Sequence, residues 1–205
     1  MYWAEAGVGS NRIMRANLDG SGSERLLTTS SGYPCGLTLD LVNDQMYWLN
    51  LQTSTMYRSN LDGTGTVQVL KTGVSPVDLA LDVAGGKVYW TENGASYPAY
   101  DVIKRANLDG TGIETIVTGL WNPLGIALDL SARKVYWADH GQGKIQRANL
   151  DGTGIEDILT GLGTPEFIAL VPEPSCIILV IFGVLVFAGR RKQSPDNVGQ
   201  CGTVT

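Results

Sequence analysis

The chain has 205 residues, 26 of them glycine, with a net charge of −5 and only 17% charged residues. That length supports one domain with a real core, and many glycines with few charges favour short strands joined by tight turns over long surface helices. The segment from Arg190 onward contributes +2, so the remainder holds −7, and a body that acidic is a poor partner for nucleic-acid phosphates.

Read in chain order, the sequence opens inside a repeated unit. Tyr2-Trp3 has the character of a second strand, with only Met1 before it, and strands two to four of that unit run to about Leu27. Three whole units then start near Pro34, Pro76 and Pro123. Tyr-Trp pairs fall at 2–3, 47–48, 89–90 and 136–137, spaced 45, 42 and 47 residues. Leu-Asp-Gly falls at 18–20, 61–63, 108–110 and 150–152, each time inside Arg-x-Asn-Leu-Asp-Gly-x-Gly. A period of 40 to 50 with strand-like content predicts propeller blades or a similar array.

The fullest unit, 123–160, shows the predicted blade. Leu124 to Asp129 alternates large and small residues, as an innermost strand would. Lys134–Asp139 and Lys144–Leu150 are the second and third strands, Asp151-Gly152 a tight hairpin turn, and Ile155–Thr160 the fourth strand. A lone first strand follows at Pro165–Leu170. It supplies what the N-terminal unit lacks, and pairing it with that unit would close a ring and remove two exposed edges.

The Tyr-Trp pairs with Arg-x-Asn-Leu-Asp-Gly resemble the YWTD repeat, also called the LDL-receptor class B repeat, over residues 1 to about 171. The resemblance implies an all-β fold, a β-propeller of six blades. It also implies structural roles, not catalytic ones, for Tyr2, Trp3, Tyr47, Trp48, Tyr89, Trp90, Tyr136 and Trp137. The fourth motif position is Glu5, Asn50, Glu92 and Asp139, so one copy keeps the family's Asp. Two closures are open: a four-bladed ring, or the C-terminal part of a six-bladed propeller. The family's blade number and an N-terminus without signal-peptide character favour the second.

The C-terminal end has a different composition. Val171-Pro172-Glu173-Pro174-Ser175 precedes Cys176 to Gly189, 14 uncharged residues apolar all round, and then Arg190-Arg191-Lys192. A helix over 176–189 would be about 21 Å long, short against roughly 30 Å of hydrocarbon, yet the basic cluster that ends it marks a membrane segment with the C-terminus in the cytoplasm. Pro172, Glu173, Pro174, the apolar segment and Arg190, Arg191, Lys192 resemble a bacterial PEP-CTERM sorting signal. That resemblance implies an exosortase-type processing partner at the inner membrane, with delivery to the cell surface or extracellular matrix. The expected division is a propeller over 1–171, a sorting signal over 172–192 and a polar tail over 193–205, longer than such tails usually are.

Few residues suggest chemistry. The three cysteines, Cys35, Cys176 and Cys201, form no disulfide framework or metal spacing, and Cys35 is expected in the core. His140 is the only histidine. The four turn aspartates, Asp19, Asp62, Asp109 and Asp151, offer one carboxylate each, too few for calcium. Asp40, Asp82 and Asp129 are expected to order the turns after the first strands. The recurring Arg15, Arg58, Arg105 and Arg147 are expected to act structurally within each blade. No catalytic residue, cofactor or metal site is predicted.

One loop is longer than its counterparts: Trp90 to Arg105 spans 15 residues, against 10 in the units before and after. Insertions in repeats map to loops, often on a binding face. Tyr97 and Tyr100 in that loop, with Trp121 and Tyr33 on linkers of the same face, form a candidate patch for an unknown protein or polysaccharide partner. The expected function is a non-catalytic surface module. The alternative is a gluconolactonase-like metal-dependent hydrolase, a family that also uses a six-bladed propeller and holds its metal with acidic and amide side chains.

Overall fold

A computed structural model describes residues 1–7, 11–29, 32–94 and 101–171. It divides into two units, Met1–Leu170 and Val171–Thr205. The predicted sorting signal, its membrane helix at 176–189 and the tail lie outside the described residues. Among the described residues no helix is long and apolar enough to cross a membrane.

The first unit is built of four antiparallel sheets, each following the last in sequence. The first holds β1 (Tyr2–Glu5), β2 (Arg12–Arg15) and β3 (Glu24–Thr28). The second holds β4 (Pro34–Asp40), β5 (Gln45–Asn50), β6 (Thr55–Asn60) and β7 (Val67–Lys71). The third holds β8 (Pro76–Asp82), β9 (Lys87–Glu92), β10 (Val102–Asn107) and β11 (Glu114–Val117). The fourth holds β12 (Pro123–Asp129), β13 (Lys134–Asp139), β14 (Lys144–Asn149) and β15 (Glu156–Leu159). Strand order equals chain order in every sheet, the meander of a propeller blade.

Adjacent residues of a strand face opposite sides, so Tyr and Trp of each pair serve different joints. Tyr2 packs in the core cluster of Trp48, Tyr47 in that of Trp90, and Tyr89 in that of Trp137. At each of these three joints the earlier blade thus presents its Tyr and the later blade its Trp. Trp48, Trp90, Trp137, Tyr47 and Tyr89 are fully buried, whereas Tyr2, Trp3 and Tyr136 are half-buried.

Two features differ from the sequence reading. The tight turn at Asp151-Gly152 lies in a connection slightly longer than expected: β14 and β15 are joined by residues 150–155 and not 151–154, with Gly152 N donating to Asn149 O at 2.8 Å and Asn149 N donating to Thr153 O at 2.8 Å. Pairing of the two strands then slips between Ile145 and Gln146. The second difference is Pro165–Leu170, which is not a strand and does not pair with β1. Gly125 N instead donates to Glu166 O at 2.7 Å, and Gly125 lies close against the Phe167 backbone, much as Gly36 of β4 lies against Asp78 of β8. The segment therefore takes a first strand's place beside the fourth sheet. Among the described residues, no strand pairs with the other edge of β1.

Candidate functional site

The recurring polar residues are consumed by the frame. Arg15 Nη1 reaches Leu61 O at 3.5 Å and Arg105 Nη1 donates to Leu150 O at 2.9 Å. These arginines therefore tie a blade to the following one, beyond the within-blade role expected. In each Asp-Gly turn the aspartate Oδ1 accepts from both the backbone N–H and the hydroxyl two residues on: Ser21, Thr64, Thr111 or Thr153. Those bonds, the hydroxyl first, hold Asp19, Asp62, Asp109 and Asp151 below the usual carboxylate range. Asp40, Asp82 and Asp129 likewise cap the turns that follow them. Cys35 packs at the second joint, where burial first and the Asp78 charge second push its thiol up to about 12.

In the third and fourth blades the fourth motif position holds the preceding linker. Glu92 accepts from Trp90 Nε1 at 2.7 Å, from Gly73 N at 2.7 Å and from Lys104 Nζ at 2.8 Å. Glu5 accepts from Trp3 Nε1 and Arg12, which keep its carboxyl low. Asp139 accepts from Trp121 N and Gln142 N at 3.1 and 3.0 Å. Burial raises the Asp139 carboxyl above its ordinary value, and nearby Asp101 adds to the rise. Among the described residues, no group of three or more His, Cys, Asp or Glu is placed to hold a metal ion.

The same end carries the candidate patch. Tyr33 is 46% exposed and Trp121 49% exposed. Tyr33 O accepts from Leu51 N and Trp121 O from Gly141 N, so each linker is pinned to the strand-two-to-three loop of its own blade. The two rings stand before the second and fourth blades, with the third blade's linker between them. Tyr97 and Tyr100 lie outside the described residues. The Trp121 indole rests on Gly141, where a Cβ would come within 2.4 Å of its ring, so glycine is needed there.

Sequence reasoning gave no role to Asp101, which closes the long loop. It is buried; its Oδ1 accepts from Gly94 N and its Oδ2 from Asn122 N, both at 2.9 Å. Asn93 also donates to the Asn122 side chain. Both ends of the insertion are thus fastened to the Trp121–Asn122 linker. The loop length in the sequence marks the place, but nothing local marks the clamp.

Four consecutive antiparallel sheets, joined by Tyr, Trp, Arg and Leu-Asp-Gly contacts, define β-propeller blades. The family model described as low-density lipoprotein receptor repeat class B matches residues 133–169. Nidogen, in the crystal structure of its complex with laminin, superposes with a TM-score of 0.72 at 27% identity, covering 81% of this chain and 64% of that one. A gluconolactonase from Xanthomonas campestris superposes with a TM-score of 0.61 at 19% identity, covering 76% of this chain and 58% of that one, a likeness of fold alone. Protein cueball of Drosophila erecta is 28% identical over 112 residues, 51% of this chain and 17% of that protein. Protein cueball of Drosophila sechellia is 29% identical over the same length. The match thus spans about a sixth of the length of these curated relatives.

Proposed function

We propose that the chain is a non-catalytic, extracytoplasmic binding module whose protein or polysaccharide ligand docks at the linker end of the blades, around Trp121. The carrying observation is that Trp121 is half exposed while its backbone is held by Asp139 and Gly141 and its linker by Asp101. A large ring fixed before contact loses little entropy on binding. The structure of nidogen with laminin supports a protein ligand for a propeller of this kind. The test is binding of the full chain, in detergent, to immobilised surface proteins and polysaccharides of its source cell. Trp121→Ala should weaken capture at least tenfold, and unchanged capture would remove Trp121 from the site.

Residues 172–192 are proposed as a PEP-CTERM-type sorting signal, with a membrane segment over 176–189, an exosortase-type processing partner and delivery to a bacterial surface or matrix. The support is the order Pro172-Glu173-Pro174, apolar run, Arg190-Arg191-Lys192. Mass spectrometry of surface and inner-membrane fractions tests it: surface protein lacking the tail is expected, and tail-bearing protein in the soluble cytoplasm would contradict it. The hydrolase alternative draws on the gluconolactonase fold likeness and the buried Asp101 and Asp139. A bound divalent metal together with lactone turnover would favour it over a binding module.

A further inference from the structure

Asn93-Gly94 is the only Asn-Gly pair in the sequence. Such a pair carries chemistry of its own. The glycine backbone nitrogen, on losing its proton, can attack the asparagine side-chain carbonyl carbon, because glycine has no Cβ in the way and its backbone turns freely. A C–N bond forms and ammonia leaves. Water then opens the resulting succinimide ring to aspartate or isoaspartate. Water is the only other reactant. Asn93 and Gly94 are both half-buried, so solvent reaches them.

The structure ties down both partners of that reaction. Gly94 N, the nucleophile, donates to Asp101 Oδ1 at 2.9 Å. The Asn93 side-chain amide, the group to be attacked, donates to Asn122 Oδ1. Asp101 is 2% exposed, and its other oxygen accepts from Asn122 N at 2.9 Å. An N–H bonded to a buried carboxylate is hard to deprotonate, because the amide anion would face that negative charge at close range with little screening. Asn122 has a left-handed backbone, with φ of 59°, and the bonds from Asn93 and Asp101 help to hold it there. The fourth blade shows what is particular to the third. His140-Gly141 stands in the place of Asn93-Gly94, and His140 N donates to Asn122 O as Asn93 N donates to Ser75 O. Gly141 N, however, donates to the backbone carbonyl of Trp121, whereas Gly94 N is held by a side chain.

We propose that Asn93 is a site of spontaneous deamidation which Asp101 restrains, and that reaction there releases the Trp121–Asn122 linker. Aspartate at position 93 puts a carboxylate where Asn122 Oδ1 now receives an N–H. Isoaspartate also lengthens the main chain by one carbon between residues 93 and 94, which draws Gly94 N away from Asp101. Either product adds a negative charge close to Asp101. The proposal is independent of what Trp121 binds. The test is peptide mapping by mass spectrometry of the full chain in detergent, incubated for days at mildly alkaline pH, with hydrogen exchange on the same samples. Asn93 should deamidate at least tenfold more slowly in the folded wild type than in denaturant. Asp101→Ala should speed the folded reaction fivefold or more, with first-blade amides still protected to show that the fold is kept. Asn122→Gly suits the positive φ and keeps the N–H, so it frees only the Asn93 amide; it should speed the reaction severalfold, and it serves should Asp101→Ala fail to fold. Asn93→Asp, the aspartate product made directly, should lose protection at the Asn122 amide. The proposal is overturned if folded and denatured wild type react at the same rate, if the folded variants react no faster than the wild type, or if Asn93→Asp keeps full protection at Asn122.

Discussion

Gly152 lies against the Ile116 carbonyl of the preceding blade so closely that a Cβ would stand 1.9 Å from that oxygen. Gly63 and Gly110 meet Leu26 and Val69 in the same way, at 2.7 and 2.2 Å. In each case the carbonyl belongs to the residue left over where the third and fourth strands slip register. The Leu-Asp-Gly glycine is therefore required twice, for its positive φ and for the approach of two blades. Gly20 has the same φ, +84° against +85° at Gly152, but nothing lies within 4 Å of its Cβ position.

That contrast separates the two requirements. Gly20→Ala should cost about 1–2 kcal/mol, the strain of a left-handed L-residue. Gly152→Ala should cost that plus about 1–3 kcal/mol for overpacking the joint. Urea unfolding of both variants measures the difference, and equal losses would show that the joint yields without cost.

The tryptophans make a second pair. Phenylalanine at position 90 or 48 removes the same ring area, but only Trp90 loses a buried bond, to Glu92. Trp90→Phe should therefore be more destabilising than Trp48→Phe by about 1–3 kcal/mol. Matched denaturant midpoints would contradict the assigned pairing.

Stability should respond to acid in two opposing ways. Asp109 has a folded pKa below its ordinary 3.8, chiefly through the Thr111 hydroxyl, so its contribution is present above that value and lost as pH falls through the lower folded value. Asp78 runs the other way. Burial raises its carboxyl despite N–H bonds from Ile126 and Leu79, so its contribution is present below 3.8 and lost as pH rises through the raised value. Thr111→Val should thus lie below wild type in stability by a gap that narrows on acidification. Asp78→Asn should gain on wild type as pH rises from about 3 to about 7. Unfolding curves across that range check both; gaps that do not change with pH would refute the assignments.

Asp101→Ala should loosen the clamp beneath Trp121. It orphans the N–H groups of Gly94 and Asn122, at about 1–3 kcal/mol each. Hydrogen exchange should show both amides losing protection, with amides of the first blade unaffected. Retained protection at both positions would place the restraint on the linker elsewhere.

The amino-acid sequence by itself determined the unit, its period and nearly every strand. Alternation along a strand and a motif repeated at fixed spacing are local properties, and Lys134–Asp139 was readable to the residue. It also contained the substitution of Asn50 for Glu or Asp, but not its consequence, because whether an acceptor reaches Trp48 Nε1 depends on side-chain length against the geometry of two packed sheets. Tertiary structure alone decided which glycines abut a neighbouring carbonyl, that Arg105 reaches forward to Leu150, that Asp101 fastens the long loop, and that Pro165–Leu170 rests on Gly125 without pairing to β1. Several of these contacts join residues some forty positions apart, and all of them are set by how closely neighbouring chain segments pack, a distance no pattern within one strand encodes.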